Sequence, residues 1–280
     1  ENRKDLNGNV MYGKNYLLPL AEFDVENLTN VKLGYVNVIT DKDGVTRAIN
    51  MNVQNDNASK TYESFVIQAY KLFTQKELSS QKEIQIKKSR FLINYVNKPN
   101  SFRQYSFTDV INNRVDIAEL KNAVVFVGST APDLHDDFFV PTSGGKAMPG
   151  VEVHANTFQT IVTNQYLKEE SIALNVILIV LVSIISFLII YKFDLLWGAI
   201  IDFGIVIFYT LLTIFIFEQG IIMNIVFIPI TLIVSYASSA VFLYVTEKKQ
   251  KKKLKDAFSK YVSGELVNQI IKNPEKLKLG

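Results

Sequence analysis

The chain has 280 residues, 48% of them hydrophobic and 20% charged, with a formal net charge of +3 and no cysteine. Soluble domains run near 25% charged, so this balance, with a mean hydropathy of +0.14, points to lipid-buried sequence rather than one large soluble core. The missing cysteines exclude a disulfide scaffold, a thiolate zinc site, an iron–sulfur cluster and a cysteine nucleophile, and the small net charge does not argue for nucleic acid.

Residues 1–171 scatter charges between short apolar runs and read as a mixed α/β domain. Leu33–Thr40 and Val45–Val53 flank Asp41-Lys42-Asp43-Gly44, and an Asp-Gly turn between alternating runs predicts a β-hairpin. Gly44 comes too early after Asp41 for an EF-hand loop. Tyr62–Phe73 predicts an amphipathic helix with Phe65, Ala69, Leu72 and Phe73 on its apolar stripe. Glu83–Ile86 and Phe91–Val96 read as strands, Lys98-Pro99-Asn100 as a breaker, and Phe107–Ile111 as a short element ended by Asn112-Asn113. Ala123–Val127 is a continuous apolar run that predicts a central strand covered on both faces.

A long loop follows, with Ser129, Thr130, Asp133, His135, Asp136 and Asp137, before Pro149-Gly150 opens a helix bearing Val151, Ala155, Phe158 and Val162 on one stripe. Loops at the C-terminal ends of central strands are where α/β sheets place ligand sites. The two histidines lack H-E-x-x-H spacing, Ser129 is not in G-x-S-x-G, and no phosphate-loop pattern is present. The aspartates are therefore read as turning and capping the loop, and His154 as hydrogen-bonding it to the helix; no metal-ligating or catalytic residue is assigned.

From Ile172 to Val245 the chain is almost wholly apolar and divides into three predicted transmembrane helices: Ile172–Tyr191, Leu195–Phe217 and Gly220–Val245. At 1.5 Å per residue each covers a hydrocarbon core of about 30 Å. Lys192 lies after the first span, and Lys248, Lys249, Lys251, Lys252, Lys253 and Lys255 lie after the third. Positive residues mark the cytoplasmic side, so residues 1–171 fall outside the cell membrane and the C-terminus inside. Export of such a domain calls for a signal peptide or membrane helix before Glu1, and the chain reads as a piece of a longer protein. Within the spans, Asp202 is an expensive intramembrane carboxylate, and Pro229 predicts a kink in the third helix. Lys251–Val262 aligns Leu254, Ala257, Phe258, Tyr261 and Val262 on one stripe suited to a homodimer, and Ser263 N-caps a second helix over Gly264–Ile271.

The run VFVGSTAPDLHDDFFVPTSGGKAMPGVEVHANTFQTIV resembles the closing signature of the type 2 CHASE domain, an extracellular sensory domain. Its pattern of a strand, G-x-T-A-P, an Asp, a Pro and P-G-V-E-x-H-A-N is met by Gly128, Thr130, Ala131, Pro132, Asp136, Pro141, Pro149, Gly150, Val151, Glu152, His154, Ala155 and Asn156. LGYVNVITDKDGVTR (Leu33–Arg47) resembles that family's L-G-x-V-N…D-x-D-G-x-x-R, LINYVNKPNSFRQYSFTDVINNR its middle strand and loop, and three close helices fit it as well. The resemblance covers about residues 15–245; the leading membrane helix and first α/β half usual in the family have no counterpart in it. AFSKYVSGELVNQIIKNPEKLKLG is similar to the linker before class III adenylate/guanylate cyclase domains.

These resemblances imply a partial α/β extracytoplasmic sensor over 1–171, three transmembrane helices, and a cytoplasmic helical linker over 246–280. They imply a homodimeric membrane receptor for an unidentified extracytoplasmic ligand, with ATP or GTP and Mg used in a cyclase domain outside this segment. Arg47, Thr130, Asp136 and His154 are the candidate ligand-binding residues, and Asp202, Pro229, Leu254, Phe258 and Tyr261 the candidate coupling residues. The segment itself is expected to carry no catalytic site or cofactor and no nucleic acid. The rival readings are the same sensor on a histidine or Ser/Thr kinase, a membrane transport subunit, or an outer domain that hydrolyses a substrate through Ser129 and His154.

Overall fold

A computed structural model describes residues 31–54, 61–78 and 90–258. The chain divides into two compact units, Glu1–Lys168 and Glu169–Gly280.

In the first unit, Asp41–Gly44 closes a tight turn: Gly44 N–H donates to the Asp41 carbonyl and Asp41 N–H to the Val45 carbonyl, both at 2.9 Å. The flanking runs do not pair with each other, against the hairpin expectation. Beyond the turn lie β1 (Ala48–Asn50) and β2 (Asn52–Gln54); β2 pairs antiparallel with β3 (Thr61–Glu63). After α1 (Phe65–Thr74), β4 (Arg90–Leu92) pairs antiparallel with β1, setting Ile49 opposite Phe91. Thr46 N–H donates to the Phe139 carbonyl at 2.7 Å. The second run thus spends its backbone donors on other segments, because Thr46, Ala48 and Ile49 are buried in the core rather than lying on a hairpin edge.

The α1 helix begins three residues later than predicted, since Tyr62 and Glu63 belong to β3 and Ser64 is the N-cap, accepting from Val66 N–H at 3.4 Å. Its buried face is Val66, Ile67 and Tyr70, while Leu72 and Phe73 are exposed, so the stripe is rotated from the predicted one. The predicted strand Glu83–Ile86 lies outside the described residues. Phe107–Ile111 forms α2, followed by Asn113 in the left-handed region at φ 53°.

Ala123–Val127 is extended but has no ladder partner among the described residues. Val124 and Phe126 pack on the core, whereas Val125 and Val127 are 56% and 75% exposed. The doubly covered central strand is thereby corrected: alternation turns one side of this run inward and leaves the other bare. The short antiparallel pair β5 (Asp137–Phe138) and β6 (Met148–Pro149) then leads directly into α3 (Gly150–Val162). Core aromatics meet edge to face, Phe126 against Phe65 at 5.9 Å and against Phe158 at 5.6 Å between ring centroids.

The second unit holds α4 (Ile172–Glu218) and α5 (Phe227–Phe258), both long and apolar enough to cross a membrane. Helical geometry in α4 is interrupted at Asp194, with φ 72° and ψ 177°. Across that break the Ser186 hydroxyl donates to Asp202 Oδ2 at 2.7 Å, although the residues are 16 apart in sequence. In a straight helix they would stand roughly 24 Å apart, so the two limbs of α4 fold back antiparallel. Asp194 Oδ1 accepts from Leu196 N–H at 3.0 Å and from Trp197 N–H at 3.4 Å, capping the second limb. A Cβ at Gly198 would lie 2.5 Å from Ile190 Cγ1, so glycine is what lets the limbs approach there.

The last helix starts at Phe227 rather than at Gly220, with the Asn224 side chain accepting from the N–H groups of Val226 and Phe227 at 3.0 and 3.2 Å. Pro229 therefore sits in the first turn, where its missing N–H has no partner to lose; the predicted mid-helix kink is corrected accordingly. Ser235 Oγ donates to the Ser183 carbonyl at 3.2 Å and the Phe242 ring meets Phe187 at 5.6 Å, so α5 runs parallel to the first limb of α4. It continues as one helix through the lysine-rich stretch to Phe258. Tyr261 and the helix predicted over Gly264–Ile271 lie outside the described residues.

Candidate functional site

The α3 helix opens where β6 ends. Gly150 N–H donates to the Asp136 carbonyl at 2.7 Å, and a Cβ on Gly150 would lie 2.5 Å from Asp136 Oδ1. The Asp136 carboxylate thus rests over the first turn of α3, at the positive end of the helix dipole. The buried face of α3 is largely polar, unlike the Val151–Ala155–Phe158–Val162 stripe expected for it. Glu152, Asn156 and Thr160, spaced four apart, each take backbone N–H groups of the segment 94–101.

Thr160 Oγ1 accepts from Asn94 N–H at 3.0 Å and Asn156 Oδ1 from Val96 N–H at 3.3 Å. The Glu152 carboxylate accepts from Asn100 N–H at 2.7 Å and Ser101 N–H at 2.9 Å. Four helical residues rise about 6 Å and two extended residues about 6.6 Å, so the first two pairings keep step. The Lys98-Pro99-Asn100 turn shortens the chain to bring the last pair to Glu152. Here a helix face stands in for the neighbouring strand, which is why Phe91–Val96 is only partly a ladder strand.

His154 is 7% exposed. Its Nε2 donates to the Val36 carbonyl at 3.2 Å, its ring meets Phe65 edge to face at 5.7 Å, and its buried Nδ1 has no hydrogen-bond partner. The expected bond to the Asp-rich loop is replaced by this bond to Val36, because the side chain turns into the core rather than toward the loop. Burial pushes the imidazole below its ordinary range, with the Asp136 charge opposing it. Thr130 is exposed on the loop, and Ser129 keeps a buried, unpartnered Oγ.

Arg47 is engaged at the Asp41–Gly44 turn. It donates to Asp41 Oδ2 at 2.9 Å and to both oxygens of Asp43 at 2.9 and 2.7 Å, and Arg90 joins through Asp41 Oδ1 at 2.8 Å. Arg47 holds Asp43 down at about 2, and the two aspartates hold Arg47 above its ordinary range. Asp136 lies over the first turn of α3, the helix that carries His154, and its charge acts on the imidazole, whereas Arg47 and Thr130 share no hydrogen bond or ion pair with either. Among the described residues no group of three or more His, Cys, Asp or Glu stands close enough to hold a metal ion.

Two polar groupings went unforeseen. A cleft of about 150 Å³ is lined by Met51, Asn52, Glu63, Ile67, Lys71, Glu77 and Leu78, with Lys71 Nζ ion-paired to Glu63 at 2.7 Å and Glu77 at 2.8 Å. In the apolar unit, Glu170 Oε1 accepts from Asn224 N–H at 2.7 Å and from Asn175 Nδ2 at 3.0 Å, while the Tyr209 hydroxyl donates to the Asn224 carbonyl at 2.8 Å. Glu170 therefore ties the segment that opens α5 to the first limb of α4, and Tyr209 ties it to the second. Asparagines beside apolar spans were the available sequence cue. Of the coupling candidates, Asp202 is buried against Ser186, Leu254 is exposed, and the side chain of Phe258 lies outside the described set.

A family model described as the CHASE2 domain matches residues 7–190. No curated protein and no solved structure matches the chain.

Proposed function

The chain belongs to the CHASE2 domain family, extracellular sensor domains of signalling proteins, and from that premise we propose that it is the sensing, membrane-anchoring and signal-transmitting part of a class III adenylate/guanylate cyclase. The observation that carries this reading is the course of α5. Its first turn is tied through Asn224 to Glu170, and it runs unbroken from Phe227 to Phe258, past the apolar stretch and into the lysines. A displacement at Glu170 would move that helix as a rod.

In this reading the two limbs of α4 and the apolar part of α5 make three crossings, with Lys192 and the lysines after Val245 on the cytoplasmic side. Support comes from the Asp194 break and the Ser186–Asp202 bond, which fold α4 into a hairpin. Leu254, Phe258 and Tyr261, which share one stripe in the sequence, are the positions for pairing with a second copy, and the cyclase-type linker over 246–280 passes the rearrangement to paired output domains. The nucleotide, ATP or GTP, and its Mg belong to those domains. An extracytoplasmic ligand shifts the equilibrium only by binding one arrangement better than the other; the exposed Asp136 at the head of α3 is the residue favoured for that contact, with the buried His154 beneath it in a positioning role.

The test is to purify the full-length protein in vesicles and assay ATP and GTP conversion to cyclic nucleotide. Formation of either product, altered by Glu170→Ala, supports the reading. Phosphotransfer without cyclic nucleotide would assign the sensor to a kinase instead.

A further inference from the structure

Past the apolar part of α5 the helix carries Lys248, Lys249, Lys251, Lys252, Lys253 and Lys255, all exposed, with Lys251 ion-paired to Glu247 at 2.5 Å. At 100° per residue they occupy roughly 200° of the circumference, and at 1.5 Å per residue their backbone stands roughly 4 to 15 Å beyond Val245. A headgroup layer is about 5–7 Å deep on each side of the hydrocarbon, and lysine stems reach back toward it. The field of a charged surface extends a further 8 Å or so at physiological salt. Lys192, at the end of the first limb of α4, adds a charge at the same end of the bundle, because α5 and that limb run parallel.

We infer that this lysine collar is a binding surface for anionic phospholipid headgroups of the leaflet from which α5 emerges, preferred over zwitterionic ones, and that it fixes the height of α5 in the membrane. An acidic soluble partner would meet the same charge, but the unbroken helix holds these lysines at the headgroup layer, where phospholipid is always at hand. The inference rests on the membrane orientation proposed above and adds the ligand class.

The chain supplies its own probe: its one tryptophan, Trp197, is 57% exposed and lies three residues past the Asp194 break, at the collar end. The whole chain is reconstituted in phosphatidylcholine vesicles containing a fixed share of brominated lipid, either phosphatidylglycerol or phosphatidylcholine. Trp197 emission should be quenched about threefold more effectively by the anionic lipid. The preference should vanish at high salt, and should fall without vanishing in the triple variant Lys252→Gln, Lys253→Gln, Lys255→Gln. That variant keeps Lys192, Lys248, Lys249 and Lys251 for orientation. Equal quenching by both lipids, or a preference indifferent to salt, overturns the inference without any variant being needed. Orientation is read separately, in intact cells, from an impermeant thiol reagent on Gln219→Cys and Gln250→Cys. Labelling of Gln250→Cys but not Gln219→Cys from outside overturns the orientation while the quenching result stands on its own.

Discussion

Glu152 is only 4% exposed, and its charge is met by two backbone N–H groups rather than by a cation. Charge-assisted bonds of this kind contribute about 1.5–3 kcal/mol each, and removing the acceptor strands two donors. Glu152→Ala should therefore destabilise the first unit by about 3 kcal/mol, with Glu152→Gln losing less because one acceptor oxygen survives. Thermal unfolding of the purified chain measures both. His154 gives the pH dependence. Its folded-state affinity for protons is depressed by burial from an ordinary value of 6.5. Below that pH the unfolded chain takes up a proton that the folded chain does not, so stability is full above about 6.5 and falls as pH drops toward the depressed value. His154→Gln should flatten this acid slope, seen as a melting temperature less dependent on pH between neutral and mildly acid buffer.

At the scale of single elements, the break in α4 is the most exposed to test. Asp194 supplies a cap, but its φ of 72° and ψ of 177° lie in an extended positive-φ region that glycine enters far more readily than other residues. Asp194→Gly keeps the backbone and loses part of the cap, whereas Asp194→Val loses the cap and strains the turn. The second should cost about 2 kcal/mol more than the first, read as detergent-phase melting followed by Trp197 emission. Element identity was legible wherever apolarity or turn chemistry decides it: the Asp41–Gly44 turn, α2, the Pro149-Gly150 start of α3, and the stop at Lys192–Asp194. Burial was not legible in α3, because Glu152, Asn156 and Thr160 look like a solvated face until the backbone they serve is in place. Ala123–Val127 misled for the opposite reason, since an apolar run says nothing about how many of its sides are covered. His154 and Asp136 became candidates through the loop around them, while Glu170 joins residues more than fifty positions apart and leaves no local trace.

For the whole molecule, the prediction concerns rotation as well as topology. One alanine inserted between Gln250 and Lys251 turns everything beyond it by about 100° without changing the spans. If a continuous helix carries the signal into the cyclase proposed above, this insertion should change cyclic-nucleotide formation by the full-length protein severalfold, and four inserted alanines, adding close to a whole turn, should restore most of it. Equal activity in all three proteins would separate the output from the helix phase. The cysteine-free sequence makes each position addressable by a single introduced thiol.

The pairing of α3 with the segment 94–101 also sets how those two pieces can move. Their repeats agree only at whole steps, one helical turn against two extended residues. A slide of half a step would leave the N–H groups of Asn94 and Val96 between acceptors, whereas a full step would hand Asn94 to Asn156 and Val96 to Glu152. The contact behaves as a toothed rack, which holds its notch or jumps to the next and has no graded positions between.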